Sequence, residues 1–173
     1  MIPIETERLR IRSWRAADVE GAQAIFCDAE VMRYIPAGTF APDAVVRVLE
    51  RMIEREARDG FGIWAVEEKK DGWVIGECGI TYVPDGSAVE IAWLFAREAW
   101  GKGLASEAAA AVRDRALGPL GLARICALVL PENRASIALH HAAGYQTLAV
   151  RSRIAQLDGV WRDTVFMERR RAD

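Results

Sequence analysis

The stretch VEIAWLFAREAWGKGLASEAA, residues 89–109, decides how this chain folds. Residues 89–95 are almost continuously apolar and predict a buried β-strand. Residues 104–117 are rich in strong helix formers, among them four consecutive alanines, and predict an α-helix. A short loop with glycine at positions 101 and 103 joins the two elements.

A strand, a glycine loop and a helix in this order form a cradle for an anion. The first turn of a helix leaves its N–H groups unpaired and carries the positive end of the helix dipole. Glycine lets the backbone approach a phosphate closely, and Arg97 and Lys102 would add positive charge. The same residues also fit a turn that uses glycine only for its geometry. The loop is neither a P-loop nor a dinucleotide-binding loop, because GxxxxGK[ST] and GxGxxG are both absent.

Outward from this stretch, periodicity and turn residues predict seven strands and four helices in one domain, residues 1–173. The strands are residues 8–12, 61–67, 73–82, 89–95, 123–130, 146–155 and 160–169, and the helices are residues 17–26, 42–58, 104–117 and 134–143. An antiparallel meander followed by a single β–α–β unit predicts an α+β (α/β) fold with a mixed, mostly antiparallel sheet.

Composition excludes several classes of protein. The chain has 173 residues, is 51% hydrophobic and carries a net charge of −2, which argues against a disordered chain and a dedicated nucleic-acid binder. Its three cysteines form no CxxC pair, so neither a disulfide framework nor a metal site is expected. No apolar run approaches about 18 residues, and the N-terminus lacks the apolar segment of a signal peptide. We therefore predict a cytoplasmic protein without a membrane or nucleic-acid partner.

Four separated segments resemble one family. Residues 98–103, EAWGKG, resemble the acetyl-CoA-binding motif [Q/R]-x-x-G-x-[G/A] of the GNAT N-acetyltransferase superfamily, although Glu98 stands where the family has Gln or Arg. The longer WGKGLASEA looks like the branch that contains the RimJ- and RimL-type enzymes. The segments ETERLRIRSWRAADVE (5–20), NRASIALHHAAGY (133–145) and DGVWRDTVFMERR (158–170) also resemble signatures of this superfamily or branch, in the same order.

This resemblance implies a GNAT-like fold with a seven-stranded sheet that splays between residues 89–95 and 123–130. Acetyl-CoA, the implied co-substrate, would lie in the splay. Its pantetheine would pair with the backbone of Ala92, Trp93 and Leu94 and contact Asn133 and Ser136; Asn133 also fits a helix N-cap, and the two roles are compatible. The implied phosphate-binding set is Glu98, Ala99, Trp100, Gly101, Lys102, Gly103, Leu104 and Ala105.

The chemistry implied is direct transfer of an acetyl group to an amine, which requires a base. Glu90 is the candidate, since it lies among apolar neighbours where burial would raise its pKa. It would share one strand face with Ala92 and Leu94, opposite Trp93; a glutamate facing solvent or an arginine is the alternative. His140 occupies the position where many members have a tyrosine and is the candidate proton donor. A structural histidine is the competing interpretation.

The acceptor site is expected between the loop 34–42 and the hairpin near 152–162. Tyr34, Phe40, Asp158 and Trp161 are the candidate wall residues. The acceptor is a protein N-terminal amine, as for RimJ/RimL-type enzymes, or a small-molecule amine. A catalytically silent CoA-binding sensor is the third hypothesis. Both a monomer and a homodimer remain open, and Cys78 and Cys126 are expected in the core rather than in catalysis.

Overall fold

The computed structural model describes residues 2–83, 85–157 and 159–171. Its centre is an open eight-stranded sheet in the order β1-β2-β3-β4-β5-β6-β8-β7. The strands are β1 (Ile4–Glu5), β2 (Leu9–Arg12), β3 (Ile63–Glu68), β4 (Val74–Tyr82), β5 (Val89–Phe95), β6 (Arg124–Val129), β7 (Gln146–Leu157) and β8 (Val160–Arg170). The helices are α1 (Val19–Phe26), α2 (Val45–Asp59), α3 (Leu104–Leu117) and α4 (Arg134–Ala142).

The sheet has one strand more than the seven predicted. The additional strand is β1, which pairs antiparallel with β2 through Ile4 and Ile11. Two residues are too few to show an alternating pattern in the sequence. The strand β1 is therefore recognised only from its pairing with β2. Two predicted helices begin later than expected, because the segments Ala16–Asp18 and Pro42–Ala44 form tight 3-10 turns ahead of α1 and α2.

Helices cover both faces of the sheet. On one face α3 packs on buried side chains of the central strands, among them Ile80, Ile91 and Ile125. On the other face α1 and α2 bury a second cluster that includes Ile25, Leu49 and Ala65. Since burial of apolar surface drives folding, the alternation of β5 between these clusters sets which of its side chains face which helices. Among the described residues, no helix is long and apolar enough to span a membrane.

The N-terminal segment holds the start of α3 in place. Glu107, in the first turn of α3, accepts hydrogen bonds from the Thr6 hydroxyl (2.6 Å) and the Arg8 backbone N–H (2.9 Å). Its other carboxylate oxygen pairs with Arg8 Nε at 2.7 Å. Arg8 also donates to the Lys102 carbonyl (2.8 Å), which ties the glycine loop to β2.

The predicted splay lies at the centre of the sheet. Strands β4 and β5 pair over seven positions, from Gly76–Phe95 to Tyr82–Val89. Strands β5 and β6, in contrast, are parallel and pair only at Glu90–Cys126. Because β6 continues its pairing with β8 to Val129, it is the contact with β5 that is lost beyond this point.

Candidate active site

The glycine loop leaves a row of backbone donors open at the start of α3. Gly101 and Gly103 have φ values of 71° and 74°, in the left-handed region that glycine adopts without strain. A Cβ added at Gly101 would meet no atom within 4 Å, so the space beside it is open. Within the described chain, no well-formed hydrogen bond is donated by the N–H groups of residues 101–106. The loop therefore presents unpaired N–H groups together with the positive end of α3.

Two amides expected in this row are already engaged. The Ala99 N–H donates to the Ala96 carbonyl and the Trp100 N–H to the Arg97 carbonyl, both within a tight turn. The prediction that Ala99 and Trp100 offer phosphate donors is therefore corrected, and Glu98, just ahead of them, lies exposed on the same turn. The open row begins at Gly101 and includes Lys102, Leu104 and Ala105.

The positive charge expected from Arg97 is partly balanced by an ion pair. Its Nε forms an ion pair with Asp28 at 2.8 Å, which joins the end of α1 to the turn that precedes α3. The Lys102 side chain is exposed. The Lys102 ammonium group therefore remains available, together with the backbone N–H groups, to bind an anion.

Glu90 lies where the two central strands separate. Its Oε1 accepts a hydrogen bond from the backbone N–H of Leu128 at 3.0 Å, across from β5 to β6. The carboxylate thus partners a β6 amide just beyond the last paired position. Burial raises the pKa of Glu90 to about 7, and the bond from Leu128 partly opposes the rise. A carboxylate with this pKa exchanges protons near neutral pH.

Beyond Glu90, residues Ala92, Trp93 and Leu94 form the edge of β5 that faces the splay. All three are half-buried although β5 is a central strand. Their backbone pairs with β4 on one side, and on the other side none of the described residues of β6 pairs with them. An unpaired strand edge is a site where an added amide-bearing chain can bind.

His140 lies on the opposite face of β5, where its ring stacks on Trp93 with centroids 4.2 Å apart. Its Nδ1 lies 2.8 Å from the Ser136 carbonyl, and a carbonyl only accepts, so Nδ1 carries the proton. The Nε2 atom is buried and has no partner among the described residues. Burial lowers the pKa of His140 to about 4. The ring is neutral at pH 7 with its proton committed, which argues against the predicted role as proton donor.

Asn133 adopts the N-cap position predicted as one of its two roles. Its side-chain oxygen accepts from the Ser136 backbone N–H at 3.2 Å at the start of α4. The cap uses only the oxygen of the side chain, so it is compatible with a further contact through the amide nitrogen. Ser136 is half-buried, and its hydroxyl lies 3.4 Å from His140 Nδ1.

The predicted wall residues of the acceptor site do not form one group. Tyr34 approaches the loop between β6 and α4, with its hydroxyl 3.5 Å from the Glu132 carbonyl. Phe40 instead packs edge-on against Phe26 in the cluster under α1 and α2. Trp161 is half exposed on β8 and pairs with Gln156 of β7, near the tip of the hairpin. Asp158 lies outside the described residues.

Glu132 is a residue that sequence analysis missed. It lies where the loop of Tyr34 meets the β7–β8 hairpin, and Arg162 Nη1 approaches its carboxylate at 3.9 Å. Its sequence context, a polar residue after Pro131, gives no sign of this position. Only the tertiary contacts between three separate segments identify it.

Glu77 is a second carboxylate that sequence analysis did not single out. It pairs with Leu94, while Thr81 pairs with Glu90, so both glutamates lie on one face of the sheet. The Glu77 side chain is buried, its Oε2 has no partner among the described residues, and burial raises its pKa to about 8. The only sign of this buried carboxylate in the sequence is a glutamate between Gly76 and Cys78 in an otherwise apolar strand.

Two other groups of side chains bear on the chemistry. Cys78 and Cys126 are both free thiols buried in strands, as predicted. Among the described residues, no group of three or more histidine, cysteine or acidic side chains is arranged to hold a metal ion.

Comparison with known proteins assigns the family. The model of the acetyltransferase (GNAT) domain matches residues 8–146, more than half of the chain. The chain belongs to the GNAT acetyltransferase family. The uncharacterized N-acetyltransferase p20 of Bacillus licheniformis is 32% identical to this GNAT chain over 148 residues, which are 84% of this chain and 83% of p20.

Solved structures share the GNAT fold over the whole chain. An acetyltransferase of the GNAT family from Bacillus anthracis superposes with a TM-score of 0.89 at 24% identity, covering 99% of this chain and 100% of that one. RimL, a ribosomal L7/L12 alpha-N-protein acetyltransferase in complex with coenzyme A, has a TM-score of 0.84 at 14% identity and covers 98% of both chains. The resemblance to the GNAT superfamily is thereby confirmed, and RimJ- and RimL-type enzymes are among the solved structures that share its fold.

Proposed function

We propose that this protein transfers the acetyl group of acetyl-CoA directly to a primary amine, and that the amine is the N-terminus of a protein. The observation that carries the proposal is the position of Glu90. Its half-buried carboxylate lies at the point where β5 and β6 separate, and its pKa of about 7 suits a base that works near neutral pH.

The residues of the splay fit acetyl-CoA. The unpaired edge at Ala92, Trp93 and Leu94 offers hydrogen bonds to the amides of pantetheine, and Asn133 and Ser136 lie at the start of α4. The open N–H groups from Gly101 to Ala105, with Lys102, offer donors to a pyrophosphate. When bound, acetyl-CoA supplies an activated thioester carbonyl.

In the proposed reaction, one proton transfer involves a side chain of this protein. Glu90 accepts the proton that the amine loses as its nitrogen bonds to the carbonyl carbon and the carbon–sulfur bond breaks. The departing thiolate takes a proton from water, because His140 is neutral and its Nδ1–H is committed to Ser136. His140 acts as a packing partner of Trp93 in this scheme.

A protein N-terminus is the acceptor that the surroundings favour. The rim near Tyr34 and Glu132 combines an aromatic ring with a carboxylate, which suits an ammonium group on an extended chain. Val160 and Trp161 add exposed apolar surface along the hairpin, where further peptide residues would contact the protein. The fold-level likeness to RimL, whose acceptor is a protein, supports the same choice.

The test is a thiol-release assay with acetyl-CoA and a library of short peptides with free N-termini, run beside a panel of small amines. Turnover with peptides, lost when the same peptides are N-terminally blocked, is the expected result. Turnover with small amines alone would replace the protein acceptor by a small molecule. Tight CoA binding without any turnover would favour the catalytically silent sensor.

A further inference from the structure

A cleft rich in arginine lies at the end of the molecule away from the glycine loop. It has a volume of about 480 Å³ and lies among the C-terminal ends of α3, α4 and β8. A second cleft of about 460 Å³ adjoins it and shares Gly144 and the arginines of β8. The charged lining of the first cleft is Arg113, Asp114, Arg169, Arg170 and Arg171.

The charge of this cleft differs in sign from that of the chain. The whole chain carries −2, whereas the first cleft is lined by four arginines and one aspartate. Arg113 pairs with Asp114, and Arg170 pairs with Glu168. Among the described residues, no carboxylate lies within 4 Å of the guanidinium nitrogens of Arg169 or Arg171. Within the part of the chain that the structure describes, two positive charges are therefore left without an ionic partner.

Arg169 is a half-buried arginine in the lining of this cleft. Its guanidinium lies close against Gly144, where an added Cβ would approach Cζ and Nη1 at 3.4 Å. Its Nε is buried and donates to no acceptor among the described residues. An unpaired buried donor is costly, so a group that binds this guanidinium would supply an interaction that no described residue supplies.

Helix capping accounts for only part of the arrangement. Arg113 donates to the Ala143 carbonyl at 3.0 Å and Arg171 to the Gly121 carbonyl at 3.3 Å. Arginine near the C-terminal end of a helix interacts favourably with its dipole. Carbonyl groups orient these side chains but do not neutralise them, so the positive charge remains available to a ligand.

We propose that this cleft binds a small phosphorylated anion with two or more negative charges. The planar guanidinium presents paired N–H donors that match phosphate oxygens, and charge-assisted bonds of this kind are strong. The cleft volume lies within the range of small-molecule sites. The site is separate from the glycine loop, because the fourteen residues of α3 hold the two ends about 20 Å apart.

The experiment is a titration of the full chain with inorganic pyrophosphate, followed by backbone amide NMR. Saturable shifts at Gly118, Gly144 and Gln146 are expected, and they should persist when CoA is present. The double variant R169Q/R171Q should weaken this binding at least tenfold without changing the affinity for CoA. The double variant R47Q/R51Q removes the same charge from the exposed face of α2 and should bind pyrophosphate as the parent does.

Several outcomes would overturn the proposal. These are shifts confined to Gly101 and Gly103, an absence of saturable binding up to 10 mM, or equal weakening by both double variants. Tighter binding of an RNA oligonucleotide than of pyrophosphate at this cleft would replace the small anion by a nucleic acid. If R169Q/R171Q does not fold, the single variant R171Q serves instead, since Arg171 is exposed and unchanged binding would contradict the proposal.

Discussion

At the scale of single residues, burial assigns opposite protonation states to the two predicted catalytic groups. Burial raises the pKa of Glu90 to about 7 and lowers that of His140 to about 4. Desolvation always disfavours the charged form, so an acid and a base shift in opposite directions. Glu90 therefore exchanges protons in the working range, while His140 stays neutral.

The first prediction concerns Glu90. E90Q keeps the size of the side chain but cannot accept a proton, so kcat should fall at least about 100-fold while the Kd for CoA stays the same. The parent kcat should rise with pH through about 7, as the carboxyl loses its proton, and the variant should lack this limb. Steady-state thiol release from pH 5 to 9 measures both. E54Q, on the exposed face of α2, is the control; a pH profile unchanged in E90Q would remove Glu90 from the mechanism.

The second prediction concerns His140 and stability. Because its folded pKa is below its ordinary value of 6.5, its contribution is complete above pH 6.5 and is lost as pH falls toward 4. At about 1.4 kcal/mol per pH unit, the free energy of unfolding should drop by about 3 kcal/mol over this window. H140Q should remove this part of the acid limb in urea unfolding and leave the rise of kcat through pH 7 in place.

The control for His140 is its exposed neighbour. H141Q should leave the acid limb of the unfolding free energy as in the parent, because it changes an exposed side chain and keeps His140. If kcat of the parent falls again at alkaline pH and this fall is absent in H140Q, His140 would be restored as a proton donor.

At the scale of elements, two sequence signatures prove to be one structural unit. Thr6 and Arg8 of the N-terminal segment bind Glu107 of α3, and Arg8 also holds the Lys102 carbonyl. This contact directs the Lys102 carbonyl toward β2, while the N–H groups of residues 101–106 have no acceptor among the residues that the structure describes. The glycine loop is therefore shaped by its own positive φ values and by a contact about 100 residues away in the chain.

The third prediction concerns this loop. Alanine at Gly101 must adopt φ near 71°, which costs about 1–2 kcal/mol and shifts the amides of the loop. G101A should weaken CoA binding several-fold or more, measured by calorimetry. The matched control is G60A at the end of α2, where φ is 76° and the added Cβ also meets open space. Both variants should lose similar unfolding free energy; equal CoA affinity in both would show that the loop does not hold the phosphates.

At the scale of the whole molecule, the sheet buries a carboxylate that the proposed chemistry does not need. Glu77 is buried and pairs with Ala65 and Leu94 of the cluster under α1 and α2, and burial raises its pKa to about 8. A group with a raised folded pKa stabilises the fold fully below its unfolded value of 4.5, and this stability is lost as pH rises through 8. The buried proton thus makes the molecule less stable in alkali.

The fourth prediction follows from that shift. Unfolding free energy of the parent, measured in urea, should decline between pH 6.5 and 8 by about 1.4 kcal/mol per unit of pH. E77Q, which stays neutral at every pH, should flatten this decline. Glu90 shifts in the same direction and should leave a smaller residual slope. A decline of the same size in E77Q would show that Glu77 does not carry the proton.

Local patterns determined the elements that carry the chemistry. The strand at residues 89–95, the glycine loop and α3 follow from apolar runs, helix formers and glycine, which act through near neighbours. The alternation that separates Glu90 from Trp93 is equally local, because successive side chains of a strand point to opposite faces. Fold class, family and the strand face on which Glu90 lies were therefore within reach of the sequence.

The tertiary structure alone decided the rest, because the remaining features depend on groups distant in the chain. The bond from Leu128 to Glu90, the stacking of His140 on Trp93 and the position of Glu132 all join separate elements. Burial of Glu77 depends on the elements that pack against β4, α1 among them. Protonation follows desolvation and hydrogen bonding, which only the assembled fold defines. The sequence thus determined which groups are present, and packing determined which of them hold a proton at pH 7.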